Sequence, residues 1–301
     1  MTTFDQLTRR VRQQLLGYAM NQESVSALTA AMTAGDVTFQ ADGETIGNLS
    51  RGLVEIDDEL ILVKKWDQGS GTVTVMGNSS GRGYEGTTAA AHAQNALITS
   101  NPAFPKARIK EAINDTIRGL YPDLVVFGST EITKQAPVVE YELPQDCEGV
   151  WYVVGQLVGP SRAAQPLPNW RYNPRARSAN FASGRSVQIF DAVTPGQAIK
   201  VVYAKLPSVL VNGSDDLLST GYPERYADLI VYGACKRLLP ALEAARLQMQ
   251  AVEATERASL VTYKELSTAV QTYSALYAER LEQERNLMFD DVPNFATFQG
   301  S

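Results

Sequence analysis

Apolar residues recurring at spacings of three and four mark four stretches of the chain as helices with one buried stripe each. Phe4, Leu7, Val11 and Leu15 form the first stripe over about Thr3–Leu16, and Gly17 supplies a stop. Ile109, Ile113, Ile117 and Leu120 form the second over Pro105–Tyr121, leaving Lys106, Arg108, Lys110, Glu111 and Asp115 for water. Pro105 suits the first turn of that helix and Pro122 ends it. A third stripe joins Tyr226, Leu229, Ile230, Gly233, Arg237, Leu238, Ala241, Leu242 and Ala245 behind Pro223, with Pro240 predicting a kink or a split. The fourth runs through Tyr263, Leu266, Val270, Tyr273, Tyr277 and Leu281. Residues 241–292 contain neither Gly nor Pro, although the whole chain holds 22 and 14 of them. Chance would leave about six in that window, so the gap is itself a helix signal.

Between these helices the pattern changes to short runs of β-branched and aromatic residues. Val37–Phe39, Leu53–Ile56, Glu59–Val63 and Thr72–Val75 read as strands, with Asp57-Asp58 and Gly69-Ser70-Gly71 as hairpin connections. Val138–Leu143, Val150–Val154, Val187–Phe190 and Ile199–Tyr203 read as a second set. Each set suits a small antiparallel sandwich or barrel. The expected fold is therefore α+β: a helical bundle core with two antiparallel β-rich insertions and a long C-terminal helix. The expected division is 1–35 (N-terminal part of the bundle), 36–100 (small β domain), 101–124 (bundle helix), 125–211 (second β-rich insertion), 212–288 (C-terminal helical pair) and 289–301 (a docking tail).

Composition narrows the chemistry. The 301 residues are long enough for two units with cores of their own. No run of apolar residues is long enough for a membrane span, and the charged N-terminal residues do not read as a signal peptide. Cys147 and Cys235 stand far apart, which excludes a zinc cluster or a disulfide framework and suits reduced thiols. A net charge of −6 argues against a general nucleic-acid coat. With one histidine, most triad and metal chemistry is gone, and no enzyme activity and no cofactor are expected.

Four segments could still carry chemistry. Gly81-Arg82-Gly83-Tyr84-Glu85-Gly86 could cradle a phosphate, but it lacks the Gly-Lys-Ser/Thr of a P-loop, and a tight turn against another backbone is the better reading. His92 reads as a hydrogen-bonded structural histidine, since no companion base, acid or ligand is visible near it apart from Glu85. Asp57, Asp58 and Glu59, like Asp215 and Asp216, read as turn carboxylates. Residues 149–186 differ: they hold Arg162, Arg171, Arg175, Arg177 and Arg185 with no lysine and no acid, interleaved with Trp151, Tyr152, Trp170, Tyr172 and Phe181. Arginine among aromatics is the composition of an interface anchor and also of a single-strand stacking surface. Because residues 241–292 are acidic, a protein interface is favoured, with Arg162, Trp170, Arg171, Arg175 and Arg177 against a neighbouring subunit. Finally Phe289, Val292, Phe295 and Phe298 recur every third residue or so beyond the last stripe, a spacing that suits either a return onto the chain's own bundle or a peptide that docks into a partner.

Arg51 to Val63 (RGLVEIDDELILV), Arg82-Gly83, Gly86 to His92 (GTTAAAH) and Asn101 to Pro105 (NPAFP) leading into a helix resemble the head–tail connector proteins of tailed bacteriophages. The resemblance implies a structural virion protein, the adaptor below the portal. It further implies a homo-oligomeric ring, commonly of twelve subunits, with an α-helical core and a channel for genomic DNA. Its C-terminal segment would engage the portal protein, which assigns Phe289, Val292, Phe295 and Phe298 to portal docking. Stopper or tail proteins would be further partners, and the protein would sit in the virion neck after assembly in the host cytoplasm. The other readings of the residues are a stopper or baseplate protein, a carbohydrate-binding or hydrolytic module using the aromatic second β unit, and DNA binding through the arginines.

Overall fold

Six strands build the first sheet: β1 (Ser24–Ala27), β2 (Thr38–Gln40), β3 (Gly52–Ile56), β4 (Glu59–Asp67), β5 (Thr72–Val75) and β6 (Leu97–Ser100). This is a computed structural model, and it describes residues 1–16, 24–42, 51–67, 69–77, 79–156, 164–252 and 263–290. The strands pair antiparallel in the order β1-β6-β3-β4-β5-β2. A bridge between Leu28 and Ala41 joins the two outer strands, where Thr29 N–H donates to Gln40 O (3.0 Å) and Asp42 N–H to Ala27 O (3.1 Å). The sheet therefore closes into a small barrel, whose interior holds Phe39, Val54, Ile56, Ile61, Val63, Trp66, Val73 and Ile98.

Seven further strands follow: β7 (Val126–Thr133), β8 (Glu140–Glu142), β9 (Gly149–Gln156), β10 (Ala164–Pro166), β11 (Trp170–Asn173), β12 (Ser186–Ile189) and β13 (Ala198–Lys205). They form a four-stranded sheet, β10-β9-β13-β7, and a three-stranded sheet, β11-β12-β8. Val153, Ile199 and Val201 of the first share one core with Tyr141, Val187 and Ile189 of the second, which makes a two-sheet sandwich.

The four helices fall where the stripes predict: α1 (Phe4–Leu16), α2 (Lys106–Gly119), α3 (Ala227–Val252) and α4 (Tyr263–Asp290). Phe4, Leu7, Val11 and Leu15 are buried on α1, and Ile109, Ile113 and Ile117 on α2. α3 runs through the exposed Pro240 without splitting. α4 is about 42 Å long at a rise of about 1.5 Å per residue.

A helical bundle core is not what the chain builds. Three antiparallel sheets carry the architecture, and helices are added to them. The reason is that a helical stripe reports one buried face without reporting what covers it. The chain divides into two units. The barrel unit is Phe4–Asp115 with Ile230–Tyr277, and the sandwich unit is Met1–Thr3, Thr116–Leu229 and Ala278–Ser301.

In the barrel unit α1 and α2 are fastened to a strand by one buried carboxylate. Glu55 of β3 accepts from Arg12 Nη1 (3.1 Å) on α1 and from Lys106 N–H (2.6 Å) at the start of α2. Burial pushes the Glu55 carboxyl up, against the pull of those donors. Helices also meet each other there, since Tyr273 of α4 donates to Gln14 of α1 (2.9 Å). In the sandwich unit the end of α4 is gripped by Arg225, whose Nε donates to the fully buried Glu284 (2.8 Å), while Met288 Sδ accepts from Val125 N–H (3.4 Å).

Candidate functional site

Three of the segments singled out as candidate chemistry, Asp57 to Glu59, the glycine-rich run and His92, converge at one end of the barrel. Asp57 and Asp58 make the two-residue turn between β3 and β4, with Asp57 in the left-handed region at φ 52°. Glu59 opens β4 on the same strand face as Ile61 and Val63, so its carboxylate enters the barrel interior and is buried. A buried carboxylate needs donors, and the segment 81–92 supplies them. Arg82 Nε donates to Glu59 Oε1 (2.7 Å) and Arg82 Nη2 to Oε2 (2.9 Å), while Gly83 N–H (2.9 Å) and Ala90 N–H (3.0 Å) add one bond each. The remaining Arg82 donors reach Thr33 O (2.8 Å), Asp36 O (2.9 Å) and Ala90 O (2.7 Å). His92 completes the cluster, with Nε2 2.9 Å from Glu59 Oε2 and Nδ1 2.8 Å from Asp57 Oδ2.

Glycine is required on both sides of Arg82. A Cβ at Gly81 would lie 2.7 Å from Leu62 O, and one at Gly83, where φ is 59°, would lie 2.7 Å from Thr87 O. The Gly-rich run is thus a tight turn that carries Arg82 into the barrel. All five guanidinium N–H groups are used, so none is left for a phosphate. The arrangement also gives His92 the structural role expected of it: both nitrogens are engaged and the residue is buried. Chemically the cluster is a clamp that ties residues 33–36, β4 and the segment 81–92 together.

The clamp has a pH signature. Burial alone would raise the Glu59 carboxyl, but Arg82, Ala90 N–H, His92 and Gly83 N–H outweigh it and hold it at about 2, against an ordinary value of 4.5. A depressed folded value stabilises the fold fully above the unfolded value and loses that stabilisation as the pH falls toward the folded one. The contribution is on the order of 3 kcal/mol. Urea unfolding of the wild type should therefore show stability falling from about pH 4.5 toward pH 2, more steeply than in Glu59→Gln. Equal slopes for the two proteins would contradict the assignment.

Asp215 behaves as the turn group that the sequence predicts. Asp215 accepts from Val211 N–H and Asn212 N–H (both 2.8 Å), and these bonds lower its carboxyl. Cys147 and Cys235 are both buried and free.

The arginine segment is divided by the alternation of β11. Trp170 and Tyr172 turn toward the sandwich core, and Tyr172 Oη donates to Cys147 O (3.0 Å). Arg171 turns the other way and is exposed, as are Arg175 and Arg177 in the connection that follows. Arg185 is paired with Glu148 (3.0 Å), whereas among the described residues no carboxylate pairs with Arg171, Arg175 or Arg177. Arg162 lies outside the described residues. Phe289 falls in the last turn of α4 by its backbone, while its side chain, Val292, Phe295 and Phe298 lie outside the described residues.

Sequence reasoning missed Glu59 and Glu284 as buried anchors. The available signals were an arginine between two glycines for the first and the i, i+4 pair Arg280–Glu284 (2.6 Å) for the second.

Among the described residues no group of His, Cys, Asp and Glu could hold a metal ion, and no helix is long and apolar enough to cross a membrane. A family model described as SU10 adaptor protein matches residues 87–287, two thirds of the chain. The match overlaps the connector-like stretch of the sequence from Thr87 to Ile113 and extends through the sandwich and most of α4. No curated protein matches the chain.

Proposed function

The chain belongs to the SU10 adaptor protein family, a family of structural phage proteins, and from that premise we propose that it is a head-to-tail adaptor ring in the virion neck. The family match is the observation that carries this reading. Copies join head to tail through two different patches, and the contacts close into a ring, with twelve as the proposed number. Arg171, Arg175 and Arg177 are the basic patch, with Arg162 in the same segment, and Trp170 backs the patch from the core side. The opposing patch is acidic, in keeping with the balance of residues 241–292. Twelve copies at −6 each carry a formal charge of roughly −72, and an acidic lining would let genomic DNA slide through the channel without sticking. No catalytic step belongs to this role.

The partners proposed on either side are the portal protein and a stopper or tail protein, with assembly in the host cytoplasm. Phe289, Val292, Phe295 and Phe298 are assigned to portal docking. Truncation after Met288 tests this directly. Glu284 and Met288 keep α4 anchored to the sandwich unit, so the truncated chain should keep the wild-type melting temperature while portal capture is lost. Capture at wild-type affinity would remove the tail from the account and favour a stopper or baseplate position.

A further inference from the structure

His92 is the single histidine of the chain, and the chemistry around it sets a proton count. Its Nδ1 lies 2.8 Å from Asp57 Oδ2 and its Nε2 2.9 Å from Glu59 Oε2. A neutral imidazole carries one N–H, so one of these contacts would set a nitrogen lone pair against an oxygen lone pair. Only an imidazolium donates to both. Glu59 does not supply the missing proton, because its oxygens already accept from Arg82, Gly83 N–H and Ala90 N–H. That donor set holds its carboxyl at about 2, after burial has pushed the other way.

We propose that His92 is held as the imidazolium and that its second proton is a latch fastening the exposed β3–β4 turn to the buried end of the barrel. The two bonds differ in setting. The Glu59 side chain is 1 % exposed and the Asp57 side chain 62 %. When the second proton leaves, Glu59 keeps Arg82 and two backbone donors, so the barrel end stays closed. The contact to Asp57, which water can replace, is the one that opens.

The turn also receives α1 and α2. Lys106 Nζ donates to Asp57 O (2.7 Å), and Lys110 Nζ pairs with Asp58 (3.0 Å) on the turn and with Asp5 (3.3 Å) on α1. The charged groups around the latch are thus Asp57 and Asp58 of the turn, Glu59 of β4, Arg82 of the glycine turn, Asp5, Arg9 and Arg12 of α1, and Lys106 and Lys110 of α2. Releasing the proton loosens the attachment point of both helices while leaving the barrel interior intact. The device is independent of the adaptor reading and needs no partner.

Because there is one histidine, its ring nitrogens can be observed without ambiguity in the full-length protein labelled with nitrogen-15 histidine. At neutral pH the two-bond proton–nitrogen spectrum should show both nitrogens protonated. On adding base, one proton should leave, and amide exchange at the 57–60 turn should then speed up about tenfold or more. In Asp57→Asn, which tolerates the positive φ, the proton should leave at lower pH and the turn should exchange fast throughout. A ring with one bare nitrogen at neutral pH would overturn the proposal. So would proton loss that leaves exchange at the turn unaltered.

Discussion

Replacing Arg82 with alanine is expected to cost about 3–5 kcal/mol of unfolding free energy. Arg82 and Glu59 form a bidentate pair whose side chains are 2 % and 1 % exposed, so removing the guanidinium leaves a carboxylate in the barrel without its main counter-charge. Three carbonyls, of Thr33, Asp36 and Ala90, lose their donor in the same step. Two backbone N–H groups and His92 remain on Glu59, which is why the expected cost is not larger. Arg82→Lys should recover little, because one ammonium cannot span a carboxylate fork and three carbonyls. Arg108→Ala is the control. Arg108 pairs with Glu85 and Glu111 at the surface, and exposed pairs are worth about 0–1 kcal/mol. Urea midpoints of the three variants decide the matter, and an Arg82→Ala cost no larger than that of Arg108→Ala would contradict the clamp.

The second large effect is on assembly. Changing Arg171, Arg175 and Arg177 together to glutamine should weaken subunit association about 100-fold or more, which corresponds to about 3 kcal/mol across the three contacts. The melting temperature of the isolated subunit should stay unchanged, since the three side chains are exposed and support no core contact. Sedimentation across a concentration series reads this directly. Unchanged association would move the subunit contact elsewhere. A steep salt dependence of DNA affinity that disappears in the same variant would instead assign the patch to nucleic acid.

How far the fold could be read from the sequence follows from what each pattern measures. The stripes of Phe4 to Leu15 and Ile109 to Ile117 report burial on a 3.6-residue period, and the helices lie where they predict. Thr72–Val75 is the very strand that its β-branched run indicates. By contrast β1 and β6, Ser-Val-Ser-Ala and Leu-Ile-Thr-Ser, are too short and too polar to announce themselves. They become strands because each pairs with a neighbour far along the chain. The same limit hid the architecture. A stripe does not name its partner, and four stripes suggested a bundle where the sheets carry the cores.

At the site, the arginine composition was visible in the sequence, but its geometry was not. That Trp170 turns inward and Arg171 outward is a consequence of the alternation of β11, a strand that the pattern left unmarked. His92 looked isolated because Asp57 and Glu59, its partners, lie 35 and 33 residues away and meet it only once the barrel closes. Glu59 itself was indistinguishable from its turn neighbours Asp57 and Asp58. Only the register of β4 puts it on the inward face.

The claim on which the functional account rests is that this chain acts by being held between copies of itself and other virion parts. Native mass measurement of the purified protein, alone and after mixing with the portal protein, tests it most directly. The account predicts subunits that gather with the portal into one closed species of fixed, multi-copy stoichiometry. A protein that stays monomeric in both samples would contradict it.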